Sequence, residues 1–334
     1  GRFTLDHKVS DRITIGGTFN YTSSENEGLN TGSTGAAFNT SGAARLAFAL
    51  APNVGPYKND GTYNINGGTI GQGNNVTVLA FTNPVLLNNM NRFTSATERV
   101  LANVYGQVRI VNGLSFRTLY GIDHLNVANE EFRNAVHGDG TQFGGAVQNT
   151  LQRPHRWNWQ NTLTYDTRFA DAHGLNILAG AEQQYTLTNS WGADRRSQTD
   201  PFFDEFQGGF IDIVPIGNNY AENFLQSYFG RINYDFKRKY FLSLNVRRDG
   251  YSAFADKWGT FYGGSLGWSI SEEEFWKSSS LANTLSTFRL RGSYGMVGNF
   301  AGINSYPFQT LFAGGLYGSS GAIFFNQAGN PDLT

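Results

Sequence analysis

The sequence predicts an all-β fold, an antiparallel up-and-down transmembrane β-barrel, on three observations: strands that split into an apolar and a polar face, strands longer than globular ones, and connections that alternate between tight and long. The composition agrees, with 27 Phe, 16 Tyr and 6 Trp to fill strands and 41 Gly to turn between them. Such aromatic content is foreign to disordered chains. A net charge of -1 leaves no basic field to hold a phosphate backbone, so nucleic acid is not expected as a partner. Zero cysteines exclude disulfides and Cys-ligated metal or iron–sulfur centres. No stretch approaches the ~20 apolar residues of a membrane-spanning helix, and no leader peptide is legible.

The first strands are read at Arg2 to Val9 and Arg12 to Ser24, where Ile13, Ile15, Phe19 and Tyr21 oppose Arg12, Thr14, Thr18 and Asn20. Thr97 to Val111, Leu114 to Ala128, His155 to Phe169 and Gly174 to Thr188 follow. In Asn223 to Phe236, Tyr228, Ile232, Tyr234 and Phe236 oppose Ser227, Arg231, Asn233 and Asp235. Tyr240 to Gly250 sets Tyr240, Leu242, Leu244 and Val246 against Ser243, Asn245, Arg247 and Asp249, with Phe241 an aromatic on the polar side. Gly259 to Ser271 and Leu285 to Val297 complete about ten strands, beyond the usual ~5 to 6 residues and, after the first, long enough for the ~9 to 11 that a tilted transmembrane strand needs.

Between them, Ser10-Asp11, Asn112-Gly113, Ala170 to His173 and Lys237 to Lys239 are tight, while Glu25 to Ala96, Asn129 to Pro154 and Asn189 to Glu222 are long. Outer-membrane barrels keep short turns periplasmic and long loops outside, so the tight side is expected to face the periplasm. Ser271 to Thr284 starts with Ser before three glutamates, which predicts a short helical turn on that side. Gly42 to Leu50 predicts another helix, stopped by Pro52 and Pro56. Tyr21, Trp157, Tyr165, Tyr185, Tyr228, Tyr240, Trp268 and Tyr294 near the strand ends suit interfacial girdles, ordinary cross-strand packing being the alternative.

The run Tyr228 to Gly250, YFGRINYDFKRKYFLSLNVRRDG, resembles the best-marked barrel segment of SusC/RagA-family TonB-dependent transporters. KWGTFYGGSLGWSISEEEF at Lys257 to Phe275, FRLRGSYGMVGN at Phe288 to Asn299 and GNPDL at Gly329 to Leu333 follow in that family's order, and FALAPNVGPYKNDGTYN at Phe48 to Asn64 resembles a first-half extracellular loop. The resemblance implies a barrel of about 22 strands closed by a plug. Residues 1 to 334 would then be an interior part of the barrel domain, with plug, TonB box and terminal strand outside it. It also implies bacterial outer-membrane localisation and multiple passes through lipid. The implied function is TonB-energised import of a glycan oligomer or peptide with a SusD-like surface lipoprotein as partner, the TonB complex acting through the plug, and no cofactor.

In such a barrel, Arg117, Asp123, Arg231, Asp235, Arg247, Asp249, Arg289 and Arg291 are expected to face the lumen or plug, chiefly as charges paired with one another or with protein. Tyr57, Tyr63, Trp191, Phe202, Phe203, Phe206, Phe210 and Tyr220 read as loop aromatics able to touch ligand or a partner lipoprotein, or simply to pack the loops. Catalytic motifs are missing: His7, His124, His137, His155 and His173 are scattered, and neither an HExxH nor a GxSxG run occurs. Gly67 to Gly73 lacks the lysine of a phosphate loop, and the spacing of Asp200, Asp204 and Glu205 is irregular for calcium. Two rival readings are a soluble all-β carbohydrate-binding protein and an outer-membrane barrel enzyme. A soluble module must avoid a continuous exposed apolar band, whereas a barrel requires one about 25 Å tall.

Overall fold

A computed structural model describes residues 1–28, 42–50, 52, 54–65, 81–299 and 306–330. Ten strands pair in sequence order into one antiparallel sheet: β1 (Arg2–Lys8), β2 (Ile13–Gly28), β3 (Arg92–Val111), β4 (Leu114–Arg133), β5 (Ala146–Phe169), β6 (His173–Gln198), β7 (Phe210–Phe236), β8 (Tyr240–Tyr251), β9 (Trp258–Ser269) and β10 (Arg289–Gly295). β1 and β10 are its edges. A separate hairpin, β11 (Leu311–Tyr317) with β12 (Ser320–Gln327), follows. Each strand foreseen from period two is present. The Gly67 to Gly73 run and the last residues of GNPDL lie outside the described residues.

Three of the four tight turns carry left-handed residues at their centres, as the sheet's right-handed twist favours, whereas the Ser10-Asp11 turn closes without one. Gly113 has φ 82, but Ala170 and Asp171 (φ 48 and 52) and Lys237 and Arg238 (φ 50 and 57) hold that conformation without glycine. The predicted helical connection resolves into a short helix at Glu274–Lys277 flanked by 3-10 turns at Ile270–Glu272 and Ser280–Asn283. Of the first loop's helices, α1 (Ala43–Ala49) was legible and α2 (Pro84–Met90) was not, although Asn83 caps it by accepting from the Val85 and Leu86 amides.

The long connections need correcting. β4 to β7 run on well past the expected ends, leaving 134–145 and 199–209 as the loops where 129–154 and 189–222 were expected. Those strand extensions are polar and do not alternate cleanly, but their backbone groups pair in register, Ala146↔Arg196 at one tip and Arg196↔Asp212 beside it. Backbone hydrogen bonding, which has no side-chain signature, extends the ladder there.

Register puts the large apolar strand residues named above, Phe241 excepted, on one face. The row Ile13, Val108, Phe116, Leu163, Ala179, Gly230, Val246 and Tyr262 crosses eight strands. These side chains are exposed: Leu266 67%, Tyr294 71%, Leu290 52% and Leu244 46%. A soluble sheet would bury them, so this face is the lipid side. The buried apolar residues instead lie mainly in the loops and at the strand tips, among them Leu46, Leu86, Phe132, Val147 and Phe210.

Aromatics frame the band in two tiers. Near the tight turns Phe169 stacks on His173 (4.9 Å), and Tyr240 stacks on Trp268 (6.3 Å). Nearer the loops Trp157 stacks between Tyr120 and Tyr185, both at 6.1 Å, and Tyr228 lies against Trp258. Along β5, Phe169 and Trp157 are about twelve residues apart, ~40 Å at ~3.3 Å each and ~28 Å after a ~45° tilt, close to an outer-membrane apolar band.

The tight-turn side is tied by Glu273. Its carboxylate accepts from Lys239 Nζ (2.9 Å), Tyr240 Oη (2.8 Å) and Trp268 Nε1 (3.2 Å), joining the β7–β8 turn to the helical connection. The Lys239, Tyr240 and Trp268 donors hold its pKa down to about 2, from 4.5. A depressed carboxylate stabilises fully above its free value, so this tie is complete above about 4.5 and lost as pH falls through about 2. Hydrogen-exchange protection of the 237–240 turn is expected to fall over that window, and Glu273→Gln to remove the acid step by loosening the turn already at neutral pH.

Candidate functional site: polar face and loop rim

The polar face presents paired charges. Arg99 grips Asp123 with Nε and Nη2 (2.8 and 2.6 Å), Arg168 reaches Asp235 (2.8 Å), and Arg247 joins Asp249 (2.7 Å), Glu182 (3.2 Å) and Ser227 (2.8 Å). Arg117 lies 4.0 Å over the Tyr105 ring, and Arg289 lies 4.7 Å over Phe241, the aromatic that broke the polar pattern. Arg231 and Arg291 share this face and make no ion pair with described residues. The expected inward set therefore lies on one face, spread along it as separate pairs.

Two cavities open there. One of about 390 Å³ is lined by Asp166, Arg168, Asn176, Asn233, Asp235 and Ser243. The other, of about 350 Å³, is lined by Asn103, Asp123, Arg156, Asn158 and Gln184. Both offer mixed donors and acceptors, suited to hydrogen-bonding a polar solute or protein surface.

Above the band the strand tips carry protein on both faces. On the polar face Asp194 is pinned between Arg133 Nη2 (3.0 Å) and Arg196 Nε (2.7 Å), with Arg133 and Asp194 side chains only 7% and 4% exposed. Ala146, across from both arginines in register, leaves room for them. Phe143 of the 134–145 loop caps the triad, 5.3 Å from one guanidinium and 4.1 Å from the other. Gly140 lets that loop fold on itself, because a Cβ there would sit against the Arg133 and Asn134 carbonyls.

On the opposite face the 199–209 loop drapes back. Arg92 holds it through Asp204 (3.2 Å) and Glu205 (2.9 Å), and Arg195 donates to the Phe206, Gly208 and Phe210 carbonyls (2.7, 3.0 and 2.7 Å). Beneath it Phe132, Val147 and Phe210 form a core with Phe206. The Asp204 and Glu205 carboxylates are thus ion-paired.

A network of asparagines docks the first loop onto this tip. Asn134 donates to Asn91 Oδ1 (2.9 Å), Asn83 Nδ2 to the Pro56 and Asn64 carbonyls (2.8 and 3.2 Å), and the Asn83 amide to His137 Nε2 (3.2 Å). Burial depresses the His137 pKa, which keeps the imidazole neutral and able to accept.

The eight candidate aromatics divide accordingly. Tyr57 and Tyr63 stack at 5.4 Å beside α2, where Asn89 donates to Tyr63 Oη (2.8 Å). Phe202 and Phe203 meet edge to face at the tip, Phe202 83% exposed. Phe206 and Phe210 belong to the packed core, Phe210 being 5% exposed. Trp191 and Tyr220, read as loop residues, stand on β6 and β7 because those strands continue. Missed altogether were Arg133, Asp194 and Arg196. Asp194-Arg195-Arg196 sat in a stretch read as loop, and no local spacing links it to Arg133.

No protein-family profile matches the chain. It is 30% identical to the TonB-dependent receptor P3 of Formosa agariphila over 269 residues, 79% of this chain and 25% of that protein. A second receptor of that organism, P26, is 25% identical over 100% of this chain and 32% of its own length. The TonB-dependent receptor SusC of Bacteroides thetaiotaomicron is 30% identical over 48% of the chain and 17% of that protein. The chain thus spans a third or less of these relatives. The solved RagAB peptide transporter superposes with a TM-score of 0.77 at 21% identity, over 99% of this chain and 36% of that one. At that identity the likeness establishes the barrel fold.

Proposed function

We propose that this chain, a SusC/RagA-like TonB-dependent transporter segment in sequence and in barrel fold, is part of the outer-membrane barrel of a nutrient importer. The observation that carries the reading is one sheet with two solvents: an exposed apolar band between aromatic tiers on one face, and paired charges lining cavities on the other. Residues 1–334 belong to the barrel domain of a longer receptor, whose plug meets the polar face. The cargo is a glycan oligomer or a peptide, both of which suit a wall of amides, hydroxyls and carboxylates. A SusD-like lipoprotein covers the loop rim, where Tyr57, Trp191, Phe202 and Tyr220 are exposed, and TonB acts through the plug. No bond in the cargo is made or broken; recognition and passage are the work.

The test is uptake by the host bacterium of fluorescent oligosaccharides and peptides, in strains lacking the receptor and complemented with it, with and without TonB. TonB-dependent uptake of one class, lost on deletion and restored by the receptor, is the expected outcome. Equal uptake of both classes in the deletion strain sinks the proposal.

A further inference from the structure

We propose that His124 and His155 hold a divalent transition-metal ion on the outer flank of the barrel. The two residues are directly opposite each other in the β4–β5 ladder, on the face that carries the lipid band. Their ring centroids lie 5.7 Å apart at an interplanar angle of 60°. Zinc bound by two imidazole nitrogens at ~2.0–2.1 Å with near-tetrahedral angles sets the ring centroids roughly 5–6 Å apart, the spacing this pair has.

Two neighbouring features favour an occupant over plain ring packing. Asn126, two residues from His124 on the same face, has a buried Oδ1 with no hydrogen-bond partner, an acceptor whose isolation costs free energy until a donor or cation meets it. Two rungs of the ladder are also missing beside the pair, between His124↔His155 and Val127↔Gln152 in unbroken register, where Pro154 has no N–H to give. A metal bridging β4 and β5 would replace the missing tie. The site lies two residues past Trp157 on β5, on the water side of the upper aromatic tier, so ions reach it.

Ligand chemistry names the class. Neutral imidazoles suit Zn²⁺, Ni²⁺ and Cu²⁺, whereas Ca²⁺ and Mg²⁺ want six or more oxygens. Water fills the remaining positions.

The intact receptor, purified in detergent with EDTA and then freed of it, is titrated with Zn²⁺ by calorimetry at pH 7.5. One equivalent is expected, with affinity at least about ten-fold weaker in His124→Ala and in His155→Ala, lost in the double variant and unchanged in His7→Ala. Asn126→Ala is expected to weaken binding several-fold by removing the acceptor beside the pair. Zn²⁺ is also expected to raise the barrel's thermal unfolding midpoint in the wild type and not in the double variant, with heat-modifiable migration confirming that each variant folds. Equal Zn²⁺ affinity in the double variant, or no binding up to millimolar Zn²⁺, overturns the proposal.

Discussion

Leu163→Arg is expected to destabilise the receptor by about 2–4 kcal/mol in lipid and to sharply lower the yield of heat-modifiable barrel from refolding into vesicles. Leu163 lies midway along β5 between Phe169 and Trp157, on the apolar face between Phe116 and Ala179, 42% exposed. A charge there meets hydrocarbon at the midplane. Two companions make the result diagnostic. Leu187→Arg, on the same face but level with His155 beyond the upper aromatics, should cost only ~0–1 kcal/mol. Thr162→Arg, next in sequence but on the polar face, should be tolerated with a similarly small loss.

The pattern separates the readings because exposure means opposite things in them. In water an exposed leucine is replaceable within about 0.5 kcal/mol, so a soluble β-sheet predicts three neutral substitutions. In a bilayer, depth sets the penalty. Urea unfolding of the receptor in vesicles reads the gradient directly, and a flat series would return the soluble carbohydrate-binding module to first place.

The residues behind this experiment were legible in the sequence because alternation is a local signal: Ile13, Ile15, Phe19 and Tyr21 declare their face within nine positions. Turns were legible for the same reason. The rim was not. Its order depends on partners far apart in the chain, such as Arg133 with Asp194 and Arg92 with Asp204. The strands around them are polar on both faces, since each face is covered by a folded-back loop rather than by lipid. Phe210 shows the cost of reading composition alone: an aromatic among polar residues looks like a binding group, and here it is the centre of a small core. The inward charges were assignable to a face by parity, but which of them pair is set by rotamers and register together. Arg247, for instance, is joined to Glu182, two strands away.

Asp194→Ala is expected to unlock that rim. The carboxylate stands between two guanidiniums, one of them almost wholly buried, and its removal leaves like charges facing each other under the Phe143 ring. Breaking a buried pair by deleting one partner typically costs about 3–5 kcal/mol, because the remaining charge keeps its desolvation penalty without its counter-ion. The Arg133 Nε is already buried without a hydrogen-bond partner, so the site has no spare acceptor to compensate. Loss should fall on the tip rather than the membrane band. Amide exchange over 134–145 and 194–198 is expected to accelerate by two to three orders of magnitude, with new trypsin cleavage after Arg133 or Arg196, while β5 between Trp157 and Phe169 keeps its protection. Asp194→Asn retains an acceptor and should cost less. Adding Arg196→Met to Asp194→Ala should recover part of the loss by removing one stranded charge, a non-additivity that marks a shared network. If the 134–145 loop kept wild-type protection in Asp194→Ala, the triad would be no lock, and the loop would owe its position to the Asn83–His137 and Asn91–Asn134 contacts instead.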